Sequence, residues 1–384
     1  MKNILYLHAG AELYGADIVL LELLKNINKN KYNPYVVLPC NGPLVNKLRE
    51  NNINVEVIEY PILRRKYFNP IGMVNYIKDY IKYSNRLKNI CKREKIDFIH
   101  TNTTAVLEGV YLKKKLSIPH IWHIHEIIVK PKFIHKFLSF IVSRYSDEVV
   151  TVSKAVKGHL DKTGYFKKEI NVIYNGVDNS VFKKSNEIDY LRKEFKIPDN
   201  SFIVGMIGRI NAWKGQSDFL DAMELVLENN KDTYAMLVGG VFEGEEWRFA
   251  KLKEKISSMK NNERVILSDY RSDTKNIHAL YDIFVLPSTN PDPLPTVVLE
   301  SMATAKPIVG YRHGGICEMV KENYNGKLAT PNDYNDLAKK IQELIDDDNL
   351  RNNMGENSLK RQCEIFSLKS YSENFINLYE KIKK

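Results

Sequence analysis

The stretch FVLPSTNPDPLPTVVLESMA, residues 284–303, contains the join that decides the fold. An apolar strand ends at Leu286, a loop with four prolines follows, and a helical segment begins near Thr296. A strand that runs through a loop into a helix is typical of parallel sheets, and the helix then starts at the carboxyl edge of the sheet. The free N–H groups and the positive dipole end of such a helix favour a bound phosphate group.

Two carboxylates bracket this join. Asp292 precedes the predicted helix, and Glu300 lies one turn inside it. Because a carboxylate repels phosphate, these side chains are better suited to accept hydrogen bonds from the hydroxyl groups of a sugar or a ribose. A structural alternative also fits these residues alone, with Asp292 as a turn residue and Glu300 on a solvated helix face.

Short apolar runs alternate with helical segments along the whole chain. The predicted strands cover residues 3–7, 35–38, 54–58, 98–101, 120–125, 148–152 and 171–174 in the first half, and 202–207, 234–238, 265–267, 283–286 and 307–309 in the second. This alternation predicts an α/β protein with two Rossmann-like, doubly wound parallel-sheet domains that face each other across a cleft. We expect the domains to cover residues 1–180 and 181–367, with the C-terminal helix 368–384 packed back on the first.

Length and composition agree with two globular domains. One core rarely exceeds about 250–300 residues, and the chain has 384 residues, of which 43% are hydrophobic and 27% charged. No run approaches the roughly 18 apolar residues of a membrane-spanning helix, and the N-terminus lacks the features of a signal peptide. Together with four scattered cysteines and no C-x-x-C, this predicts a cytoplasmic protein with reduced thiols.

The positive charge is confined to the first half. Residues 1–180 hold 28 Lys and Arg against 16 Asp and Glu, whereas the remainder holds 29 against 31. The first domain is therefore expected to face an anionic partner. Residues 63–68 and 130–141 are the candidate surfaces, and the second mixes Lys with Phe, Leu and Ile as helices on anionic membranes do. An ordinary helix with a core-facing side is the alternative, and the absence of a nucleic-acid-binding motif argues against a nucleic-acid partner.

Other candidate ligand-binding residues also follow predicted strands. Arg209 and Lys214 come after the strand 202–207 and could bind a diphosphate. Gly15 precedes a helix after the first strand and permits close approach of the backbone to a ligand. His125 ends the strand that begins at residue 120. Each feature alone is weak, because glycines and charged residues commonly end strands.

Together, these segments resemble the retaining glycosyltransferases of the GT-B fold, family 4. The resemblance covers nearly the whole chain, and it rests on the order and spacing of its pieces. These are Gly15-Ala16-Asp17, residues 97–102, His125-Glu126, residues 147–153, residues 172–178, Gly208-Arg209, Lys214-Gly215, residues 284–288, the carboxylate pair and Gly314-Gly315-x-x-Glu318.

The resemblance implies roles for particular residues. Asp292 and Glu300 occupy the acidic E-x7-E motif of the family, in which Glu300 would bind the ribose and Asp292 would contact the donor sugar near the reacting carbon. Arg209 and Lys214 would neutralise the diphosphate. His125 would lie near the donor sugar and contribute to the transfer.

The phosphate-binding loop departs from the family pattern. The first acid is Asp292 rather than Glu, and Pro293 and Pro295 replace glycines and cannot donate an N–H. Gly15 would still let the first domain approach the phosphates, and the Thr296 hydroxyl could cap the helix or add a donor. The backbone donors that remain in the loop are those of Leu294, Thr296 and Val297.

The activity implied is retaining transfer of a sugar from a UDP- or GDP-linked donor in the second domain. The acceptor is expected in the first domain and would be a glycan or a lipid-linked molecule, with bacterial envelope polysaccharide synthesis as the setting. A nucleotide-sugar epimerase or a phosphorylase on the same scaffold is the alternative.

Two segments could be mistaken for metal sites. His123 and His125 share one face of their predicted strand, but no further ligands have suitable spacing. Asp346-Asp347-Asp348 resembles the D-x-D metal motif of a different glycosyltransferase fold, but here it ends a predicted helix. GT-B enzymes generally need no bound metal, so the resemblance implies a metal-independent enzyme without a cofactor. We expect it to act in the cytoplasm, and it could also act on the inner face of the cell membrane.

Overall fold

A computed structural model describes residues 1–184 and 187–382, and it divides into two compact units. Unit 1 comprises Met1–Gly176 and the segment that starts at Leu368, and unit 2 comprises Val177–Ser367. Each unit is a parallel sheet with helices, so the expected α/β class with two parallel-sheet domains is confirmed.

Unit 1 contains a sheet of seven parallel strands in the order β3-β2-β1-β4-β5-β6-β7. The strands are β1 Lys2–Leu7, β2 Tyr32–Leu38, β3 Asn54–Val57, β4 Phe98–Thr101, β5 His120–Ile124, β6 Glu148–Thr151 and β7 Asn171–Val172. The helices that connect them are α1 Gly15–Asn26, α2 Pro43–Glu50, α3 Pro70–Arg93, α4 Glu108–Leu116, α5 Lys132–Tyr145 and α6 Lys154–Asp161, with a short 3-10 helix at Arg65–Tyr67.

Unit 2 repeats this arrangement with six parallel strands in the order β10-β9-β8-β11-β12-β13. The strands are β8 Phe202–Ile207, β9 Thr233–Val238, β10 Val265–Ser268, β11 Ile283–Leu286, β12 Ile308–Tyr311 and β13 Gly326–Ala329. The helices are α7 Asp189–Glu194, α8 Gln216–Asn229, α9 Glu246–Ser257, α10 Thr274–Leu280, α11 Thr296–Ala303, α12 Ile316–Met319, α13 Tyr334–Ile345 and α14 Asp348–Ile365, with a 3-10 helix at Asn262–Arg264.

The strand order reverses direction once in each sheet, between β1 and β4 in unit 1 and between β8 and β11 in unit 2. The connections on the two sides of such a point leave in opposite directions, which opens a crevice at the carboxyl ends of the strands. Ligand-binding residues are therefore expected just after these four strands.

The last helix, α15 (Leu368–Lys381), completes the core of unit 1. Phe375 and Tyr379 are fully buried in the same cluster as Tyr6 and Phe98. The Tyr379 hydroxyl lies 3.1 Å from that of Tyr6 and 2.7 Å from Nδ1 of His100. These contacts give two otherwise isolated polar groups of the sheet a hydrogen-bond partner, which a buried polar group requires.

The strand β13 was not predicted, because its sequence is Gly326-Lys327-Leu328-Ala329 and lacks the β-branched and aromatic residues typical of strands. Lys327 is nevertheless buried. Its ammonium group lies 2.8 Å from a carboxylate oxygen of Glu343 and 2.8 Å from the side-chain oxygen of Asn323. Burial of Lys327 in this strand therefore depends in part on Glu343 of α13, a partner that the local pattern of the strand does not reveal.

The variant Tyr379→Phe tests the polar contact that α15 makes in the core of unit 1. Removal of the hydroxyl leaves His100 Nδ1 buried without its partner, so we expect the free energy of unfolding of unit 1 to fall by about 1–3 kcal/mol. Urea denaturation monitored by circular dichroism measures this change. Tyr270→Phe, at an exposed tyrosine of unit 2, is the matched control, and equal stability of the two variants would contradict the structural role.

Candidate active site

In unit 2, two loops meet beyond the adjacent strands β8 and β11. Gly215 has φ +83°, and a Cβ atom at this position would lie 1.8 Å from the carbonyl oxygen of Pro287. The backbone N–H of Thr289 donates to the carbonyl of Trp213 at 2.7 Å. Only glycine permits both the left-handed conformation and the close approach, so Gly215 fixes the distance between the two loops.

This close approach brings together two predicted site residues. The Lys214 ammonium group lies 2.5 Å from Oδ2 of Asp292, and the two side chains are only 15% and 9% exposed. Removing a charge from water is costly, and here the attraction between the two opposite charges offsets that cost. Asp292, the residue expected at the donor sugar, therefore neutralises Lys214, the residue expected at the diphosphate.

Glu300 occupies the second turn of α11, and it contacts a buried histidine. Its Oε2 atom lies 3.1 Å from Nε2 of His278, a fully buried side chain of α10. The ring of His278 packs against Phe284 at a centroid distance of 5.3 Å, so the imidazole has little freedom to turn away. His278 therefore orients one oxygen of Glu300 and leaves Oε1 for another donor.

Arg209 follows β8 directly, at the edge of the sheet where Lys214 and Glu300 lie. Its guanidinium group stacks on the ring of Phe242 at 3.9 Å, a distance typical of a cation–π interaction. The side-chain amide of Gln216 donates to the carbonyl oxygen of Arg209 at 2.9 Å. Both contacts restrict where the positive charge can lie.

The helix α11 begins at Thr296, with Pro295 in the N-cap position. Of the two roles expected for the Thr296 hydroxyl, capping is wrong, because Thr296 is the first helical residue and Pro295 is the N-cap. Its role as an additional donor stays a prediction. The first N–H groups of a helix lack a partner within the helix. Thr296 and Val297 supply two such groups, while Leu294 is buried beside them.

The glycine pair Gly314-Gly315 holds this loop in place. A Cβ atom on Gly315 would lie 2.0 Å from the carbonyl oxygen of Pro293, and one on Gly314 would lie 2.6 Å from that of Asp292. The N–H of Gly315 also donates to the Asp292 carbonyl at 2.7 Å. The pair therefore fixes the backbone of Asp292 before its side chain meets Lys214.

Unit 1 carries a different set of polar residues at the corresponding edge. His8 follows β1, Asn102 follows β4 and His125 follows β5. The Nε2 atom of His125 lies 2.9 Å from the side-chain oxygen of Asn102. The amide nitrogen of Asn102 lies 3.1 Å from Nδ1 of His8, and Nε2 of His8 lies 2.7 Å from Oδ1 of Asp17. These four residues, which we call the Asp17–His125 chain, connect three loops.

The helix α1 anchors one end of the Asp17–His125 chain. It begins at Gly15, and the backbone N–H of Tyr14 donates to Oδ2 of Asp17 at 2.9 Å. Gly15 therefore lies in the first turn of a helix that starts beyond the carboxyl end of β1. The same carboxylate serves the start of α1 and the histidine that follows β1.

Burial controls the charge of the histidines in this region. It lowers the pKa of His125 to about 3, with a further contribution from the neighbouring His8. Burial also lowers the pKa of His120 to about 4, and it places the pKa values of His100 and His123 well below the usual range. These imidazoles are therefore neutral near pH 7. The contact of His123 with His125 at 3.3 Å is one between two neutral rings.

Glu126 connects the loops that follow β4 and β5. Its carboxylate accepts hydrogen bonds from the Thr103 hydroxyl and from the N–H groups of Thr104 and His125. Burial raises the pKa of this carboxyl group despite these bonds. The contacts fix the backbone at His125.

In the aspartate run considered as a metal motif, Asp346 and Asp347 have structural roles. Asp346 is the C-cap of α13, and Asp347 accepts a hydrogen bond from the N–H of Leu350 at the start of α14. Across residues 1–184 and 187–382, no group of three or more His, Cys, Asp or Glu is placed to hold a metal ion.

The basic segments of unit 1 expose large apolar side chains. On α5, Phe133, Phe137 and Phe140 are 67%, 50% and 48% exposed, and their spacing of four and three residues places them on one face of the helix. The N-terminal half of α3 exposes a second set, namely Ile71, Val74, Ile77 and Ile81. No helix in the described part of the chain combines the length and hydropathy of a membrane-spanning segment.

Sequence reasoning did not assign roles to His8, His278 and Phe242. The signal for His8 was available, because it is a polar residue immediately after β1, as His125 is after β5. His278 lies inside a helix and Phe242 in a loop, and no spacing in the sequence relates them to Glu300 or Arg209.

Two family models match the chain, "Glycosyltransferase Family 4" over residues 14–181 and "Glycosyl transferases group 1" over residues 187–361. The chain is 32% identical over 305 residues to an uncharacterized glycosyltransferase of Methanocaldococcus jannaschii, covering 77% of this chain and 78% of that protein. It is 27% identical over 389 residues to the Escherichia coli UDP-Gal:α-D-GlcNAc-diphosphoundecaprenol α-1,3-galactosyltransferase, covering 95% and 96%.

Among solved structures, the chain is similar to Anabaena Alr3699/HepE in complex with UDP-glucose. The TM-score is 0.84 at 25% identity, covering 99% of this chain and 100% of that one.

The four low-pKa histidines predict acid sensitivity of unit 1. An unfolded histidine binds a proton below about pH 6.5, whereas the buried ones do not until the pH is far lower, so acidification favours the unfolded state. From pH 7 to pH 5 we expect each histidine to lower the free energy of unfolding by about 2 kcal/mol. Fluorescence of Trp122, in a Trp213→Phe, Trp247→Phe background, reports on unit 1.

The same titration with Trp122→Phe, in which the two tryptophans of unit 2 remain, is the control. A midpoint of urea unfolding for Trp122 that does not change between pH 7 and pH 5 would contradict the prediction.

Proposed function

The chain belongs to the family 4 glycosyltransferases, and on this premise we propose that it transfers a sugar from a nucleotide diphosphate to an acceptor with retention of configuration. The observation that carries the proposal is the set of groups at one sheet edge of unit 2. Arg209, Lys214 and the N-terminus of α11 supply positive charge, while Asp292 and Glu300 supply carboxylates. Such a combination suits a ligand that has both phosphates and hydroxyl groups.

The diphosphate is expected to bind Arg209, Lys214 and the N–H groups of Thr296 and Val297. A diphosphate that approaches Lys214 replaces Asp292 as the counter-charge. Asp292 can then accept a hydrogen bond from a hydroxyl group of the donor sugar. The ion pair of this structure thus becomes two separate contacts when the donor binds.

The ribose of the nucleotide is expected to bind Glu300. His278 holds Oε2, so Oε1 is the oxygen that accepts hydrogen bonds from the ribose hydroxyl groups. The E. coli relative is named for UDP-Gal, and the similar Anabaena protein binds UDP-glucose in its crystal structure. We therefore infer a UDP-linked sugar for this chain ahead of a GDP-linked one.

The reaction proposed is a front-face displacement. The bond between the sugar C1 and the β-phosphate oxygen breaks, and the acceptor hydroxyl attacks C1 from the same face. The acceptor proton passes to the departing phosphate oxygen, so the products are the glycoside and the nucleoside diphosphate. Arg209, Lys214 and the first N–H groups of α11 stabilise the charge that develops on the leaving group, and we propose that neither a metal ion nor a cofactor is needed.

The acceptor is assigned to unit 1, where the basic residues and the exposed apolar side chains lie. Lys130, Lys132 and Lys136 are exposed around the phenylalanines of α5. Such a helix can insert its rings into a bilayer while the ammonium groups contact anionic headgroups. The E. coli relative is named for a diphosphoundecaprenol acceptor. We infer a lipid-linked acceptor at the cytoplasmic face of the membrane, as in bacterial envelope polysaccharide synthesis.

The variants Lys214→Ala and Glu300→Ala test the donor site. Each removes a group that contacts the donor, so we expect the rate of sugar transfer from the accepted UDP-sugar to fall by about 100-fold or more. Radiolabelled transfer to an undecaprenyl-diphosphate-linked sugar measures the rate, and UDP should raise the melting temperature of the wild type. Lys255→Ala, which breaks an ion pair with Asp221 in the same unit, is the control. Wild-type rates in both site variants, or an isomerised donor as the product, would overturn the assignment.

The double variant Phe133→Ser, Phe137→Ser tests the membrane surface on α5. Each ring contributes about 1.5–3 kcal/mol when it leaves water, so we expect binding to vesicles that contain phosphatidylglycerol to weaken at least 10-fold. Co-sedimentation with these vesicles measures the binding, and high salt should weaken it further. Trp247→Ser, at an exposed aromatic residue of unit 2, is the control. Equal binding by the double variant and the wild type would refute the role of α5.

A further inference from the structure

The Asp17–His125 chain has one consistent direction of hydrogen bonding. Ionised Asp17 can only accept, so His8 must carry its proton on Nε2, the atom 2.7 Å from Oδ1. The Nδ1 atom of His8 is then an acceptor, and it must receive a hydrogen bond from the amide nitrogen of Asn102 at 3.1 Å. This orients the Asn102 amide, and it directs the side-chain oxygen towards His125.

The direction fixed by Asp17 extends to His125. The oxygen of Asn102 can only accept, so the atom 2.9 Å away, Nε2 of His125, must carry the proton. Nδ1 of His123 lies 3.3 Å from the same atom and must then also be an acceptor, with the proton of His123 on its own Nε2. In a neutral imidazole the other nitrogen, Nδ1, is then an acceptor. Within the described residues, Nδ1 of His125 has no hydrogen-bond partner.

We propose that Asp17, His8 and Asn102 are positioning residues that keep the proton of His125 on Nε2, so that Nδ1 accepts a hydrogen bond from a hydroxyl group of the sugar substrate. This rests on the proposed function, because only a substrate with hydroxyl groups uses such an acceptor. A carboxylate, an amide and two histidines stabilise a sheet edge less than apolar side chains would, because most buried polar groups need a partner. Because their hydrogen bonds all run in one direction, these residues determine which nitrogen of His125 carries the proton.

The location of the Asp17–His125 chain in the sheet supports this role. His8 and Asn102 follow β1 and β4, the two strands between which the order of the sheet reverses. Ligands of open parallel sheets bind at this point. Asp17 is also held independently, because its second oxygen accepts the N–H of Tyr14.

The variant Asp17→Asn is expected to reverse the direction of hydrogen bonding along the Asp17–His125 chain. The oxygen of the introduced amide still accepts the N–H of Tyr14, and the nitrogen of that amide now donates to Nε2 of His8. His8 must then carry its proton on Nδ1, the Asn102 amide must turn over, and His125 must accept at Nε2. We expect the proton of His125 to move to Nδ1, and transfer to fall at least 10-fold in kcat with the affinity for UDP unchanged.

Long-range 1H–15N spectra of the full chain labelled with 15N-histidine show which ring nitrogen carries the proton. The signals of the nine histidines are assigned with His125→Gln. Glu56→Gln is the matched control, since Glu56 is a hydrogen-bonded carboxylate of the edge strand β3 and accepts from Tyr35 at 2.8 Å. It should leave both the His125 signals and kcat unchanged.

A second variant, Asn102→Asp, covers the case in which Asp17→Asn does not fold. The new carboxylate accepts from Nε2 of His125, so His125 keeps its proton there, and its pKa rises towards neutrality because a negative charge stabilises the imidazolium. To donate to this carboxylate as well as to Asp17, His8 must carry a proton on both ring nitrogens. The ionisable groups that face His125 are His8 and Asp17 from β1 and α1, His100 from β4, and His123 and Glu126 from β5 and its loop. All of them remain in this variant.

The spectra separate the failure of this inference from the failure of the proposed function. A wild-type His125 with its proton on Nδ1, or a proton that stays on Nε2 in folded Asp17→Asn, overturns the inference even if sugar transfer is observed. The predicted proton positions together with the loss of kcat support it. Predicted proton positions in a protein that transfers no sugar overturn the substrate part of the inference and the proposed function with it.

Discussion

The reversal of strand order is the constraint on which the rest of this structure depends. At the reversal, the connections that follow the two neighbouring strands run in opposite directions. A crevice therefore forms at the carboxyl ends of these strands, and side chains line it. Both sheets have one such point, β1/β4 in unit 1 and β8/β11 in unit 2. In each unit, candidate site residues at this point are paired by a residue from a neighbouring loop, His125 by Asn102 in unit 1 and Asp292 by Lys214 in unit 2.

The polar side chains at the two edges are paired in different ways, by an ion pair in unit 2 and by a chain of hydrogen bonds in unit 1. In unit 2, glycines allow the backbones to touch, as Gly215 does at Pro287, and full charges then meet at short distance. A buried ion pair contributes little net stability compared with apolar residues of the same shape. The pair of Lys214 and Asp292 is therefore better explained by what it does when an anion arrives than by what it adds to the fold.

The sequence predicted what depends on local pattern and did not predict what depends on contacts between distant segments. Strands such as β4, β8 and β11 follow from short apolar runs, and their predicted bounds match the structure. β13 was missed because it lacks the residues typical of strands and because Lys327 is buried through an ion pair with Glu343 of α13. Similarly, Lys214, Asp292 and Glu300 were recognised as candidates from their positions after strands. Their partners were not, since the side chains of Lys214 and Asp292 meet across 78 residues of sequence.

The two edges also present different binding chemistry. Diphosphate carries full negative charge, and the cations and the helix N-terminus of unit 2 complement it. Hydroxyl groups are neutral, and they are selected by acceptors and donors at defined positions rather than by charge. The edge of unit 1 has this character, because burial keeps His125 uncharged and the Asp17–His125 chain determines which of its nitrogens accepts. A protonated His125 would be a donor at both nitrogens, and the low pKa of this histidine is therefore a condition for the role proposed for its Nδ1 atom.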